Sequence, residues 1–492
     1  MSEPDQAASL LREAARLEQL GQLAEAAATY EGILARWPEL PDCWYNLALL
    51  QRRLRRFDEA LASYAQALAR GVRQPEEVHL NRGVILADHL RQDAAAEREL
   101  RAALALNPVY LPALRNLANL LEDLGRREEA LATYARILEL DPRDFESLAR
   151  SAGLHRVERP GDPLIGRLRA ALTDPAASAA ERASLGFALG AALDSCGEYA
   201  SAFAAYEAAN RESRASAPAA ARYDRRSQER FTDELIRTFR ERTASTGAER
   251  PKEAAGAPRP IFICGMFRSG STLAEQLLAR HRLVTAGGEL ELLPELVRTV
   301  PAPYPAALAS LPESRIEALG KRYLADLARL FPGAAYVTDK RPDNFLHIGL
   351  IKRVIPDARI VYTTRDPLDN CLSIFFLHLD QRMGYALDLL DTGHYYRECR
   401  RLMAHWKALY PEELLELNYD NLVADPRPAV ERLLRFCGLP WDEACLSPAP
   451  SGVAVKTASV WQVREPLYRR SSGRARHYRR ELSALAAYLA EP

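Results

Sequence analysis

A short pattern returns about every 34 residues through the first 215 residues of the chain. In each copy, a small residue is followed four positions later by Tyr or Leu. The pairs are Ala26 and Tyr30, Ala60 and Tyr64, Ala96 and Leu100, Ala130 and Tyr134, and Ala202 and Tyr206. Successive alanines are 34, 36, 34 and 72 positions apart, and the last step spans two repeats. A fixed period of this length predicts stacked helix-turn-helix units, in which the small residue makes room for a ring from a neighbouring helix.

Turn residues fall between the copies of this pattern. They are Gly21, Gly125 and Gly197 inside units, and Pro38, Pro108 and Pro142 at unit ends. The pattern resembles the tetratricopeptide repeat, which implies five or six units between residues 7 and 214. The unit at 145–175 is degenerate because Arg-Pro-Gly-Asp-Pro at 159–163 interrupts it. Stacked repeats form a superhelical groove suited to a peptide or another protein; a purely structural stack is the alternative.

Strands alternate with helices from residue 261 onward. The candidate strands are 261–264, 335–338, 359–364 and 414–418, and helical stretches at 312–330 and 344–354 lie between them. This alternation predicts a parallel α/β sheet covered on both faces. A charged helix at 223–243 and an Ala/Gly/Pro-rich linker at 244–260 precede it. We therefore predict an all-α repeat superhelix at 1–215, a helix and linker at 216–258, and a P-loop-like α/β domain at 259–492.

A glycine-rich loop follows the first of these strands. Residues 261–272 read Ile-Phe-Ile-Cys-Gly-Met-Phe-Arg-Ser-Gly-Ser-Thr, and Gly265 and Gly270 have the spacing of a P-loop. Such a loop binds an anion with backbone N–H groups and a helix N-terminus. Ser271 occupies the usual position of the lysine that contacts the β- and γ-phosphates, and the cation Arg268 lies inside the loop instead. This change favours transfer of a group other than the γ-phosphoryl of ATP.

Two further positive side chains follow later strands. Arg365 comes directly after the strand at 359–364, at the sheet edge where open α/β folds bind ligands. Ser373, eight residues later, could join it in holding a second phosphate; a surface ion pair of Arg365 with Asp366 or Asp369 is the alternative. Lys340 follows the strand at 335–338 and is expected at the same edge as a point charge.

A carboxylate is also expected close to the glycine-rich loop. Gly287 and Gly288 precede Glu289, and a carboxylate beside an acceptor hydroxyl can act as a general base. Glu291 is the competing candidate, and Glu295 is a more distant one.

Together these motifs resemble the sulfotransferases that use 3′-phosphoadenosine-5′-phosphosulfate (PAPS), especially their tyrosylprotein and repeat-containing bacterial branches. The order of repeats and α/β domain is similar to the tetratricopeptide-repeat sulfotransferase family. The resemblance implies that Arg268, Ser269, Gly270, Ser271 and Thr272 hold the 5′-phosphosulfate, and that Arg365 and Ser373 hold the 3′-phosphate. It also implies that Glu289 is the catalytic base, because its 21-residue offset from Arg268 agrees with the family and favours it over Glu291.

The remaining site residues are implied by the same resemblance. Lys340 and Ser459 would stabilise charge at the transferring group, and Tyr419 would contact the nucleotide. Gln462, Arg464 and Arg474 would belong to a C-terminal loop that closes over the phosphosulfate.

Three positions depart from the family pattern. Phe267 replaces a usual proline, which bears on loop rigidity, and Ser271 replaces a usual threonine but keeps the hydroxyl. Leu377 stands where the tyrosylprotein branch has a further arginine near the 3′-phosphate. The candidates to replace that cation are His378, Arg382 and Arg397.

The expected function is transfer of a sulfuryl group from PAPS to an acceptor hydroxyl, without a metal. A protein or peptide tyrosine is the favoured acceptor, a glycan is next, and the repeats are expected to recruit a protein or peptide. Two other functions stay open: a P-loop nucleotide kinase or phosphotransferase, and a repeat adaptor whose α/β domain is inactive.

Composition excludes several classes of protein. The 66 basic and 66 acidic residues cancel, so no global attraction to nucleic acid follows. The chain has no run of about 18 apolar residues, which predicts no membrane span. Its polar first residues differ from a secretory signal, and its seven scattered cysteines lack a C-x-x-C pair, which indicates a reducing compartment without structural zinc. A cytoplasmic location is therefore expected; no sequence pattern specifies the oligomeric state.

Overall fold

The structure is a computed structural model that describes residues 3–241, 258–380, 383–447 and 472–491. The chain divides into two compact units, and the division falls between Leu154 and His155. The extents predicted from the repeat pattern, 1–215, 216–258 and 259–492, remain predictions. Among the described residues, no helix combines the length and apolar character that crossing a bilayer requires.

The first unit consists of helices that pair along the chain. They are α1 (Glu3–Gln19), α2 (Leu23–Arg36), α3 (Pro41–Arg53), α4 (Phe57–Ala69), α5 (Pro75–Val84), α6 (Asp93–Leu106), α7 (Leu111–Asp123), α8 (Arg127–Leu140) and α9 (Phe145–Leu154). A wider turn of π-helix, Ile85–His89, continues α5. Helices α1 to α8 pack as four successive antiparallel pairs, and α9 packs on α8. This confirms the predicted tetratricopeptide-repeat fold in this unit.

Side-chain size explains how these helices pack. The repeating alanines on α2, α4, α6 and α8 are fully buried, and the residues four positions later are 0–4% exposed. Gly21 and Gly125 make the turns within their units in the left-handed conformation, at φ 75° and 74°. Arg55 and Arg91 occupy the equivalent position in the two middle units, at φ 61° and 55°. The turn therefore imposes this backbone conformation even on side chains that disfavour it.

In the described part of the chain, the second unit begins with four further helices that precede the sheet. They are α10 (Pro163–Leu172), α11 (Ala179–Ser195), α12 (Tyr199–Ser216) and α13 (Arg225–Thr238). A capping box between Ser178 and Glu181 begins α11. Helices α11 and α12 pack closely because a Cβ added at Gly190 would lie only 2.8 Å from the ring of Tyr206. The last copy of the repeat pattern thus belongs to the same compact unit as the sheet.

Five parallel strands form one sheet within the described residues. They are β1 (Arg259–Gly265), β2 (Val284–Thr285), β3 (Tyr336–Lys340), β4 (Arg359–Thr364) and β5 (Leu414–Asn418), in the order β2-β3-β1-β4-β5. The predicted parallel sheet is confirmed. The two-residue strand β2 is too short to produce a sequence pattern and was not predicted.

Helices connect and cover these strands. They are α14 (Ser271–Leu278), α15 (Leu292–Arg298), α16 (Glu313–Leu330), α17 (Ile348–Val354), α18 (Pro367–Phe375), α19 (Leu389–Leu409), α20 (Tyr419–Ala424), α21 (Pro426–Cys437) and α22 (Ser483–Ala490). The helix predicted at 344–354 is a 3₁₀ turn, Pro342–His347, followed by α17. The predicted linker at 244–260 lies mostly outside the described residues, and its end is wrong because β1 already begins at Arg259.

Alternate side chains of the central strand point into two separate cores. Phe262 and Cys264 are buried in one core with residues of α16, α17 and α19, whereas Ile261 and Ile263 are buried in the other with residues of α14 and α21. Both faces of the sheet are therefore covered, and the carboxyl ends of the strands are left as the edge at which a ligand can bind.

Candidate active site

The loop between β1 and α14 depends on two glycines. Gly265 has φ 146°, and a Cβ there would lie 2.5 Å from the carbonyl oxygen of Thr363 on β4. Gly270 has φ 103°, and a Cβ there would lie 2.7 Å from the ring of Tyr419. Glycine lets the backbone adopt these angles and approach its neighbours closely. The loop is therefore a tight turn that leads into the N-terminus of α14, where anions are stabilised.

Hydrogen bonds from within the fold fix the shape of this loop. The buried hydroxyl of Ser269 donates to the carbonyl oxygen of Met266 over 2.6 Å and lies 2.7 Å from the Thr363 hydroxyl. The side-chain amide of Asn370 on α18 donates to the carbonyl oxygen of Phe267 over 2.6 Å. Ser269 and Asn370 thus hold the loop in place. Sequence reasoning missed Asn370, although it lies three residues before Ser373 and so shares a helix face with it.

The residues predicted to hold two different phosphates meet in one place. Nε of Arg268 donates to Oγ of Ser373 over 3.2 Å. Nη1 of Arg365 donates to the carbonyl oxygen of Arg268 over 3.3 Å. The Arg365 guanidinium lies 5.1 Å from the ring centroid of Tyr419, a cation–π contact. The ends of β1, β4 and β5 therefore contribute to one surface, whose positive charge comes from Arg268 and Arg365.

The arginines of this surface are held in an unfavourable environment. Burial and the nearby charge of Arg365 lower the pKa of Arg268 to about 10, and Arg474 acts in the same direction. Burial also lowers the pKa of Arg365, against the attraction of Asp369, and Arg474 again contributes to the lowering. A bound anion would offset both effects, so the arrangement suits a ligand with strong negative charge.

Glu289 and Lys340 form an ion pair at the end of β3. Nζ of Lys340 lies 2.7 Å from Oε1 of Glu289. The lysine side chain is 1% exposed whereas the glutamate side chain is 37% exposed, so the carboxylate is the partner that an incoming molecule can reach. Because β3 and β4 flank β1 in the sheet, this pair and Arg365 lie on opposite sides of the glycine-rich loop.

The backbone before Glu289 is pressed against β3. Gly287 donates its N–H to Oγ1 of Thr338 over 2.9 Å, and a Cβ at Gly287 would lie 2.0 Å from the Thr338 carbonyl oxygen. The Thr338 hydroxyl and the Gly288 N–H both donate to Oε1 of Glu275, over 2.6 and 2.8 Å. Sequence reasoning missed Glu275; the signal available was a single carboxylate inside the otherwise uncharged helix α14.

The competing carboxylates are positioned differently. Oε1 of Glu291 lies 2.7 Å from Nη1 of Arg341, and its Oε2 lies 3.3 Å from Nη2 of Arg298. Glu295 lies one turn further along, in α15. Of the three glutamates, Glu289 is the one whose carboxylate contacts Lys340.

The predicted residues of the C-terminal loop are only partly described. Arg474 lies in a 3₁₀ turn, Arg474–Tyr478, and its guanidinium is paired with Asp194 of α11. Ser459, Gln462 and Arg464 lie outside the described residues. Their roles remain predictions.

Two of the three candidates for the cation missing at Leu377 lie within the described residues, and both have other partners. The ring of His378 stacks on Phe187 with centroids 5.0 Å apart. Nη1 of Arg397 donates to the carbonyl oxygen of Tyr488 over 3.3 Å, and Arg397 lines a cavity of about 910 Å³ together with Arg365. Arg382 lies outside the described residues.

Comparison with known proteins matches both parts of the chain. Residues 260–443 match the family model described as "Sulfotransferase family". Tetratricopeptide-repeat models match residues 11–75, 45–109 and 112–144.

Individual relatives share a third or less of their aligned residues with this chain, and the alignments cover only part of each relative. An "Uncharacterized protein" of Aquifex aeolicus (strain VF5) is 32% identical over 432 residues, which are 84% of this chain and 53% of that protein. "Protein-tyrosine sulfotransferase 1" of Danio rerio is 24% identical over 204 residues, 38% of this chain and 55% of that protein. The chain thus spans about half the length of these two relatives. The solved structure of the sulfotransferase domain from the Synechococcus PCC 7002 olefin synthase is 20% identical in sequence. Its match covers 48% of this chain and 96% of that domain, with a TM-score of 0.35.

The Thr338 hydroxyl generates a testable prediction about the stability of the backbone that precedes Glu289. Thr338→Val keeps the side-chain shape but removes one hydrogen bond from the Gly287 N–H and one from Glu275. We expect the free energy of unfolding to fall by about 1–3 kcal/mol, the usual cost of disrupting a buried polar contact. Urea unfolding of the full chain measures this change.

Thr338→Ser is the matched control because it keeps the hydroxyl and removes only a methyl group. Its expected cost is about 0.8 kcal/mol. A serine variant as unstable as the valine variant would contradict the role assigned to the hydroxyl.

Proposed function

We propose that this protein transfers a sulfuryl group from PAPS to an acceptor hydroxyl, because residues 260–443 match the family model described as "Sulfotransferase family" and tetratricopeptide-repeat models match residues before it. The observation that carries the proposal is the placement of complementary groups at one sheet edge. Arg268 and Arg365 supply positive charge at the ends of β1 and β4, and the Glu289–Lys340 pair lies at the end of the adjacent β3.

The proposed donor is a nucleotide with two anionic groups. The glycine-rich loop and the α14 N-terminus would hold the phosphosulfate through Arg268, Ser271 and Thr272. Arg365 and Ser373 would hold the 3′-phosphate, which ATP lacks. The lowered pKa values of Arg268 and Arg365 support binding of a strongly negative ligand here, since its charge would offset the burial and the repulsion that lower them.

Glu289 and Lys340 have different roles in the proposed reaction. When bound, PAPS supplies a sulfuryl group joined through oxygen to a phosphate leaving group. Glu289 accepts the proton of the acceptor hydroxyl while the acceptor oxygen bonds to sulfur and the sulfur–oxygen bond to phosphate breaks. Lys340 donates to the oxygen that takes the bonding electrons. A preorganised donor of this kind is typically worth about 3–4 kcal/mol of transition-state stabilisation.

We propose a tyrosine of a protein or peptide as the acceptor, with a glycan hydroxyl as the alternative. Several similar proteins, at 22–24% identity, are named protein-tyrosine sulfotransferases. The repeats of the first unit add a surface of the type that binds proteins and peptides, and we propose that they recruit the acceptor.

Two other functions compete with this proposal. A nucleotide kinase would need a cation at the γ-phosphate, and Ser271 stands where a P-loop has its lysine. An adaptor with an inactive α/β domain would have no need for a buried lysine paired with a reachable carboxylate, as in the Lys340–Glu289 pair.

Replacement of the proposed base tests the enzymatic function. Glu289→Gln removes the proton acceptor, and we expect turnover to fall by about 10² or more while the affinity for 3′-phosphoadenosine-5′-phosphate (PAP) is retained. Mass spectrometry for products that carry an added SO₃, after incubation with PAPS and a cell lysate, measures turnover.

Glu291→Gln makes the same chemical change two residues away, where the carboxylate pairs with Arg341. It should retain turnover. Absence of sulfated products with the unaltered protein would refute the proposed function, and full turnover of Glu289→Gln would remove Glu289 from the mechanism.

Arg365→Ala tests the site proposed for the 3′-phosphate. Loss of a charge-assisted contact should weaken the binding of PAP by roughly tenfold, with a smaller effect on adenosine 5′-phosphate. Isothermal titration calorimetry measures both dissociation constants. Equal losses would refute the 3′-phosphate assignment, and stronger stabilisation of the unaltered protein by ATP than by PAP would favour a kinase.

Removal of the first unit tests acceptor recruitment. A chain that begins at His155 keeps the second compact unit, so PAP binding and sulfation of a small phenol should persist. Sulfation of protein acceptors should fall by about tenfold or more, since docking no longer raises their local concentration. Equal loss with both kinds of acceptor would instead indicate a structural role for the repeats.

A further inference from the structure

Arg474 is held by a carboxylate that comes from far away in the sequence. Its Nη2 lies 2.5 Å from Oδ2 of Asp194, and its Nε lies 3.3 Å from Oδ1. The hydroxyl of Tyr478 donates to the same carboxylate. Two nitrogens facing two oxygens fix the plane of the guanidinium, and Nη1 takes no part in the pair.

The backbone around Arg474 is anchored independently of Asp194. The N–H groups of Gly473 and Ala475 both donate to the buried carboxylate of Asp369 on α18. The Ser472 hydroxyl donates to Oδ1 of Asp420 over 2.6 Å. These contacts fix where the turn lies, and the Arg474 side chain itself is paired with Asp194.

Helices α11 and α12 are packed firmly enough to serve as this support. The ring of Tyr206 stacks on Phe376 with centroids 3.9 Å apart, and Nδ2 of Asn210 donates to the carbonyl oxygen of Phe375 over 2.9 Å. The Arg474 guanidinium lies 5.2 Å from the Phe376 ring centroid. The same aromatic ring therefore contacts both the helix pair and the arginine that Asp194 holds.

Arg474 also lies close enough to the candidate donor site to act on it. Its positive charge is among the causes that lower the pKa of Arg268 and of Arg365. The contacts of helix α18 place them together as well, because Asp369 accepts hydrogen bonds from the backbone on both sides of Arg474 and Ser373 accepts one from Arg268. The turn that carries Arg474 therefore lies beside the residues of the candidate donor site.

We propose that Asp194 is a positioning residue of the donor site: it orients Arg474 so that this arginine joins Arg268 and Arg365 in holding an anionic group of the nucleotide. Arg474 then supplies the positive charge that Leu377 does not. This inference rests on the proposed use of PAPS, and it makes the α11–α12 pair a structural part of the donor site.

The test compares variants of the full chain by calorimetric titration with PAP. Asp194→Asn keeps the side-chain shape but removes the charge that holds Arg474, and we expect the dissociation constant to rise roughly tenfold. Asp194→Glu keeps the charge and moves it by one methylene, so only about a threefold rise is expected. In an Arg474→Ala background, Asp194→Asn should change the dissociation constant by less than about twofold, because the residue it positions is gone.

Glu212→Gln is the matched control. It removes a carboxylate from the same helix pair, where Glu212 lies 2.9 Å from Arg182, and it should leave the affinity for PAP unchanged. Unchanged affinity in folded Asp194→Asn overturns the proposal, and so does an equal loss with Arg474 present or replaced by alanine. If Asp194→Asn fails to fold, wild-type affinity for PAP in Arg474→Ala overturns it. Absence of PAP binding by the unaltered protein overturns the proposed function as well, which separates the two failures.

Discussion

Three arginine side chains lie close together near the carboxyl ends of the parallel strands, and the second unit must hold these like charges against their mutual repulsion. Arg268, Arg365 and Arg474 repel one another, and burial adds to the cost of keeping the first two charged. Such a cluster persists only where the rest of the fold holds each member in place. A different feature holds each arginine. Arg268 is part of the glycine-rich loop, Arg365 follows the end of β4, and Arg474 pairs with Asp194 of α11. A bound anionic ligand would offset the repulsion and the burial of these charges.

The loop illustrates how backbone geometry serves this electrostatic purpose. Gly265 and Gly270 bring the chain so close to β4 and to Tyr419 that no side chain would fit at either position. Arg268, between them, adopts φ 65°, which is uncommon for a residue with a Cβ. The strain is confined to the residue that carries the charge, and Ser269 and Asn370 stabilise the loop on either side of it. Strain at a site of this kind indicates preorganisation for a ligand.

Local patterns were enough to predict most of the fold. The alanine and tyrosine pairs gave the helix pairs of the first unit, because each pair reports on contact between neighbouring helices. The glycine spacing gave the loop, and apolar runs gave β1, β3, β4 and β5. Predictions failed where the pattern was short or was set by tertiary contacts, as at β2 and at the 3₁₀ turn before α17.

The charged residues of the candidate site could be selected from the sequence, and their roles stay predictions, whereas the residues that hold them in place could not be selected. Glu289, Lys340, Arg268 and Arg365 stand out because each follows a strand or lies in a glycine-rich loop. Glu275, Asn370 and Asp194 do not stand out, since a single polar residue within a helix resembles a surface residue. Their roles depend on partners 63, 103 and 280 positions away in the chain, and no local period records such contacts.

The last copy of the repeat pattern shows how one packing rule can serve two purposes. In the first unit, alanine and tyrosine pairs seat one helix of the stack against another. At Ala202 and Tyr206, the same pair seats α12 against α11, because Gly190 leaves space for the tyrosine ring. The Tyr206 ring also stacks on Phe376, and the Arg474 guanidinium lies over the Phe376 ring. The repeat signal in the sequence therefore specifies only that two helices pack. The contacts that this pair makes with the sheet domain also involve side chains outside the repeating positions, such as Asp194 with Arg474 and Asn210 with Phe375.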